Sequence, residues 1–202
     1  PAPAPAPSVN PGGLVHAAHS EARVAPGGII SIFGTGLAAL TEAANSVPLP
    51  TYLGGARVTM EGVDLPLYFA SPTQINAQLP FELQGRSTAT LQVFAAGMLS
   101  SSTTVALSPV APGIFTQSRD GRGAGAILRA QDFALVTAAS PASRGEDVVI
   151  FATGLGPVSP PMATGAAAPS SPLAQTTQVP TVLIGGVAAP VLFSGLAPGF
   201  AS

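Results

Sequence analysis

Two histidines, His16 and His19, stand three positions apart near the start of the 202-residue chain, and Glu21 follows two residues later. That spacing could open a metal site. Zinc needs three or four ligands, however, and the sequence offers no cysteine and no further histidine. Surface or strand-edge positions are the expectation for both rings, with no metal and no cofactor. Glu146 and Asp147 are adjacent carboxylates just before an apolar run. Neighbours on a strand point to opposite faces, so the two cannot share an acid–base step, and a solvated turn is expected there. Serine and threonine are plentiful, but no Gly-x-Ser-x-Gly elbow occurs, and so few His and Asp leave a catalytic triad without partners. Arg119-Asp-Gly-Arg-Gly123 lacks the oxygen ligands of a calcium loop. Its Asp120-Gly121 pair reads instead as a hairpin turn joining Gly113–Gln117 to Ala124–Arg129. The residues therefore point away from catalysis.

What must position them is a chain of short apolar runs broken by 23 Gly and 22 Pro. Ala56-Arg-Val-Thr-Met-Glu61 alternates, with Val58 and Met60 on one face and Arg57, Thr59 and Glu61 on the other. Gly62 turns the chain, and Val63–Phe69 resumes a strand. Thr88–Phe94, Gly97 and Ser102–Leu107 read as another hairpin. Thr41–Asn45 is expected to form a helical turn, and most of the nine Phe are expected in the core. Pro1–Pro7 alternates Pro and Ala, which reads as a stiff extended linker or arm or as a disordered tail. Short strands at this spacing predict an all-β sandwich class.

Only 8% of residues are charged, against about 25% in ordinary domains. All seven cations are Arg, and no charge occurs from Val148 to Ser202. A surface so neutral has little repulsion to keep molecules apart, so self-association is expected. No basic patch marks a nucleic-acid partner, and no apolar run is long and unbroken enough to span a membrane as a helix. Lys–Asn isopeptide cross-links are excluded, and so is N-glycosylation at an Asn-x-Ser/Thr sequon. Pro157–Pro180, rich in Pro, Ala, Ser and Thr, reads as a long extended loop or an O-glycosylated stretch. The start at Pro1 without Met is what a processed product or an excised piece would show.

The chain repeats itself. Ile32-Phe-Gly-Thr-Gly-Leu-Ala38 returns as Ile150-Phe-Ala-Thr-Gly-Leu-Gly156, and Gly62-Val-Asp-Leu-Pro-Leu-Tyr-Phe69 as Gly186-Val-Ala-Ala-Pro-Val-Leu-Phe193. Val15-His-Ala-Ala18 and Val136-Thr-Ala-Ala139 supply a third match. Phe33 is thereby aligned with Phe151, Pro66 with Pro190 and Phe69 with Phe193. The blocks Val24–Leu37, Ala70–Pro80, Ala111–Thr116 and Phe193–Phe200 resemble the Solibacter-type C-terminal domain of acidobacterial extracellular proteins, whose units are similar to IPT/TIG Ig-like sandwiches. The resemblance runs from about Val9 onwards. It implies export, an extracellular or cell-surface location and an appendage role, and it brings no catalytic residues.

The expected architecture is a Pro/Ala-rich arm (1–8), an Ig-like unit (9–110), a connecting hairpin segment (111–134) and a second Ig-like unit (135–202) lacking its last strands. The second copy replaces Ser31, Thr59 and Tyr68 by Val149, Leu183 and Leu192. It also replaces Arg57, Glu61 and Asp64 by Thr181, Gly185 and Ala188. Strand alternation puts many of these positions on the outward face, and strands apolar on both faces are normally covered on both. The missing strands would come from continued chain or from another molecule. The expected assembly surface is Val149, Val182, Leu183, Ile184, Val191, Leu192 and Phe193, with an intermolecular strand beside Val182–Ile184 or Val191–Phe193. A structural subunit of a fibre, sheath or adhesin is the first functional expectation. A polysaccharide- or cell-wall-binding appendage is the second, weakened by the absence of Trp and by having Tyr only at Tyr52 and Tyr68.

Overall fold

The computed structural model describes residues 5–202, so Pro1–Ala4 of the proposed arm lie outside the described residues. The protein is all-β, with antiparallel sheets throughout and, among the described residues, a single 3-10 turn at Phe81–Leu83 as its one helical element.

The first half is a sandwich of two five-stranded sheets. One sheet contains β1 (Ser8–His16), β2 (Ile29–Thr35), β3 (Glu42–Ala43), β6 (Leu67–Ala70) and β7 (Gln74–Gln78), ordered β1-β2-β7-β6-β3. The other contains β4 (Ala56–Met60), β5 (Val63–Asp64), β8 (Thr88–Ala95), β9 (Met98–Leu99) and β10 (Thr103–Ala106), ordered β10-β8-β4-β5 with β9 also on β8. The strand expected over Val63–Phe69 is split: Leu65-Pro66 carries the chain from the second sheet to the first, where a proline without an N–H is tolerated. Thr41–Asn45 holds the short edge strand β3, not a helical turn. Glu42 fixes it there, because its carboxylate accepts the Gly54 N–H at 2.8 Å while Ala43 pairs with Phe69.

Alternation builds the core. Ile30 and Ile32 of β2, Ile75 of β7, Val58 and Met60 of β4, and Leu91 and Val93 of β8 are all fully buried between the sheets. None of the nine Phe is buried, contrary to expectation: branched aliphatic side chains fill this space, and Phe33, Phe133, Phe151, Phe193 and Phe200 are exposed. Ser31 also departs from its expected outward place. It is buried, and its hydroxyl donates to Asn76 Oδ1 directly across the β2–β7 pair at 3.1 Å.

The second half forms four separate two-stranded ribbons. β11 (Gly113–Ile114) pairs with β14 (Ala152–Thr153), and β12 (Ile127–Arg129) with β13 (Val148–Ile150). β15 (Val158–Ser159) pairs with β16 (Gln175–Thr176), and β17 (Val182–Ile184) with β18 (Val187–Ala189). The turn at Asp120-Gly121 joins the segments expected, with Gln117 N–H donating to Ala124 O at 2.9 Å. Residues 111–134, expected as a connector, thus supply the partner strands of β13 and β14. No residue of this half enters the main hydrophobic cluster.

Candidate assembly interface

The pairing registers reveal what the second half copies. In the first half, Thr35 and Gly34 pair with Ser8 and Val9, the register breaks at Phe33, and Ile32, Ser31 and Ile30 pair with Leu14, Val15 and His16. In the second, Thr153 and Ala152 pair with Gly113 and Ile114, the ribbon breaks at Phe151, and Ile150, Val149 and Val148 pair with Ile127, Leu128 and Arg129. Every partner falls in the same order. Only the loop inside the break differs, being longer in the second half and folded as the hairpin around Gly121.

This corrects one of the three repeat matches. The residue opposite Val149 is Leu128, so Leu128 takes the place of Val15 and Val136 does not. Val136 lies on the far side of β12, with its N–H on Ile127 O at 2.9 Å.

A second ribbon repeats the same way. Thr59 pairs with Asp64 and Met60 with Val63, while Leu183 pairs with Ala188 and Ile184 with Val187. Both turns have two residues at positive φ: Glu61 and Gly62 at 52° and 81°, Gly185 and Gly186 at 59° and 82°. That is the two-residue turn whose twist suits a hairpin.

The two copies differ in what lies beside them. β2 has β7 on its second edge, and β4 has β8. Among the described residues, β13 and β17 each pair on one side only. Phe151 N–H and Asp147 O bond towards β12, so alternation turns the backbone groups of Val148 and Ile150 to the open edge. The side chains follow. Met60 is 0% exposed and its counterpart Ile184 59%; Leu67 is 0% exposed and its counterpart Val191 is half-buried. Of the expected interface residues, Leu183, Ile184, Leu192 and Phe193 are exposed, and Val149, Val182 and Val191 are half-buried. Val182, Leu183 and Ile184 share β17, Val191, Leu192 and Phe193 follow β18, and Val149 lies on the separate ribbon of β13.

The second half meets the first through a set of hydrogen bonds and leaves Leu183, Ile184, Leu192 and Phe193 exposed. Fully buried Gln78 donates from Nε2 to Ala201 O at 2.5 Å, and its Oε1 accepts the Gly165 N–H at 2.6 Å. Ile29 N–H donates to Thr153 Oγ1 at 3.0 Å, Phe81 N–H to Thr164 Oγ1 at 3.0 Å, and Thr164 Oγ1 to Glu82 Oε2 at 2.7 Å.

His16 belongs to this seam and is not at the surface. It is 1% exposed, stacked on His19 with ring centres 4.0 Å apart. Nδ1 accepts the Ala18 N–H, so Nε2 carries the proton and donates to Ala111 O at 2.9 Å. Burial, then His19 beside it, lowers its pKa to about 4. Gly113 permits the stack, since a Cβ there would run into both rings. Glu146 corrects the expected solvated turn: it faces inward and pairs with Arg129 at 3.0 Å, while Asp147 faces solvent. Arg129 also donates to Ser140 Oγ and Pro141 O. A shallow hollow bounded by Ala44–Val47, Leu49, Phe200 and Ala201 holds the Tyr68 hydroxyl, whose pKa burial pushes up to about 12. No carboxylate or histidine lines it.

No protein-family model matches the chain, and no curated protein matches it. Among the described residues, no helix is long and apolar enough to cross a membrane.

Proposed function

We propose that this protein is a non-catalytic structural module of an extracellular assembly, a tandem pair of Ig-like units whose second member meets another molecule along its exposed apolar strands. The observation that carries this reading is the identity of register between the two halves combined with open edges where the first half has β7 and β8. Unpaired strand edges beside exposed apolar side chains are templates for strand addition. Covering Ile184, Val187, Leu192 and Phe193 would be worth on the order of 5 kcal/mol or more, before the cost of ordering a partner. The scarcity of charge leaves little to oppose close approach. The extracellular setting and the role as a subunit of a fibre, sheath or adhesin rest on the resemblance of the repeated blocks.

Light scattering across a concentration series, with electron microscopy of the same samples, tests the reading. Concentration-dependent oligomers or filaments are expected. A monodisperse monomer at every concentration, with β13 and β17 amides as protected from exchange as those of β2 and β4, would overturn it. Turnover of a glycan, ester or peptide that vanished on substituting one polar residue would overturn the non-catalytic part.

A glycan-binding appendage is the second reading. The exposure of five Phe favours it, since aromatic faces are what sugar rings stack on. Absence of retention on insoluble polysaccharide would count against it, and retention that survives Phe133→Ala and Phe200→Ala would count against a site built on these rings.

A further inference from the structure

Burial sorts the side chains of β2, β6 and β7 into two faces. Ile30, Ile32, Leu67, Ile75 and Ala77 fill the core. Phe33, Phe69, Gln74 and Asn76 stand on the other side of the same sheet. We infer that this outward strip of the first half binds a neutral polysaccharide, with Phe33 and Phe69 as stacking platforms and the Gln74 and Asn76 amides as its hydrogen-bond partners. This rests on the glycan-binding reading and gives it a site. The strip lies inside a sheet, because β2 runs between β1 and β7, and β6 between β7 and β3. It owes nothing to an unpaired edge.

The register sets the geometry. Gln74 and Asn76 are two apart on β7, where Phe33 pairs with Gln74 from one side and Phe69 with Asn76 from the other. Strand spacing puts the Cα atoms of the two Phe about 12 Å apart, diagonally across β7. A single sugar ring does not bridge that span, and a chain of sugar units does. The polar groups between the rings are held in place. Asn76 Oδ1 accepts from Ser31 Oγ at 3.1 Å and from Gln74 Nε2 at 2.9 Å. Both acceptor sites of that oxygen are thereby used, which fixes the direction of Nδ2. Among the described residues, Asn76 Nδ2 and Gln74 Oε1 have no protein partner. A donor and an acceptor side by side match neighbouring sugar hydroxyls, while the C–H faces of the sugar lie on the rings.

Charge and the repeat agree with this occupant. β2, β6 and β7 contain no charged residue, so an ionic ligand finds no counter-charge on the strip. Phe33 is 36% exposed, and Phe69, Gln74 and Asn76 are half-buried, which leaves rings and amides within reach of solvent. Both rings return in the second half as Phe151 and Phe193, although neither Phe33 nor Phe69 serves the core of the first. Core packing therefore does not explain why they are kept. Ser31, which orients Asn76, is replaced by Val149, and this assigns the complete site to the first half. The neighbouring row, Ile29 and Gln78, lies beneath Thr153, Gly165 and Ala201, so the second half bounds the strip at that end.

The test presents the full 202-residue chain to an array of cellulose, xylan, chitin and mannan fragments, with alginate and heparin as charged controls. Saturable binding of a neutral fragment is expected, and none of the charged ones. Phe33→Ala and Asn76→Asp should each weaken it by about tenfold or more. The Asn76→Asp side chain still accepts both hydrogen bonds and loses the Nδ2 donors, so its melting temperature should stay near that of the parent. Phe133→Ala and Phe200→Ala should leave binding unchanged. Neutral-glycan binding that survives both Phe33→Ala and Asn76→Asp overturns this site and leaves the glycan-binding reading standing. Binding of none of the neutral fragments overturns both, and binding confined to alginate or heparin overturns the uncharged strip as the site.

Discussion

Ile32 and Ile150 occupy the same place in the same hairpin, yet one is sealed in a sandwich and the other sits half-buried in a two-stranded ribbon. The difference lies in their neighbours, not in their own strands. β2 is flanked by β1 and β7 and capped by the sheet of β4 and β8, so each aliphatic side chain is covered from several directions. Among the described residues, β13 has the counterpart of β1 and no second strand on its other edge. A hairpin register survives without its sheet because turn geometry and local pairing set it, whereas burial is a property of the assembled layers.

The sharpest way to test that contrast is to truncate matched residues. Met60→Ala should destabilise the first half by about 2–5 kcal/mol, because a fully buried side chain leaves a cavity. Ile184→Ala at the matching position should change stability of the isolated protein by less than about 0.5 kcal/mol. Urea unfolding curves of the two variants measure both. Equal losses would show that β17 is covered after all.

Acid should separate the halves before it unfolds the first. The folded pKa of His16 lies at about 4, below its ordinary 6.5, so the unfolded or undocked state binds more protons between these values. The stabilisation is complete above about pH 6.5 and is lost as pH falls towards 4, on the order of 3 kcal/mol in all. His19 stacked on the ring adds to the penalty for a second charge, and Glu21 opposes it. Exchange at Ala111–Ile114 should rise across that window, and His16→Gln should flatten the dependence. An unchanged profile would mean that the seam does not depend on this ring.

Arg129 stands where the first half has His16, and its task differs. It ties the loop of Ser140, Pro141 and Glu146 to β12. Arg129→Ala should loosen residues 140–147 by about 2 kcal/mol in local exchange while leaving 29–35 untouched. Loss of protection in the first half would show the two halves to be one cooperative unit.

Much of this architecture could be read from the residues. The alternation of Val58 and Met60, the turn at Gly62 and the turn at Asp120-Gly121 are set locally, and local rules found them. The repeat located the two hairpins. What failed was long-range. Val136 matched Val15 by residue type, but the longer loop of the second half moved the pairing to Leu128. His16 looked like a surface ring because nothing near it in sequence announces Ala111 or Gly113. The Phe side chains looked like core because apolar strands usually hide them, and only packing reveals that smaller aliphatic residues fill the space.

The smallest expected effect concerns the matched turns. Glu61 holds φ 52°, a conformation that costs a side-chain-bearing residue on the order of 1 kcal/mol. It is held there because its Oε1 accepts the Thr90 N–H at 2.7 Å and its Oε2 lies 3.3 Å from Arg86, and Thr90 belongs to β8. The second half has no such strand among the described residues, and glycine occupies the matching corner at Gly185. Glu61→Gly should therefore be close to neutral, since relief of strain offsets the lost hydrogen bond. Gly185→Glu should weaken the β17–β18 hairpin by about 1 kcal/mol in the isolated protein, read as faster exchange at Val182–Ile184. Once the open edge of β17 is covered by a strand that offers an N–H where Thr90 does, that penalty should shrink. A Gly185→Glu variant equally frayed with and without the added strand would show that the turn and the edge are not coupled as they are in the first half.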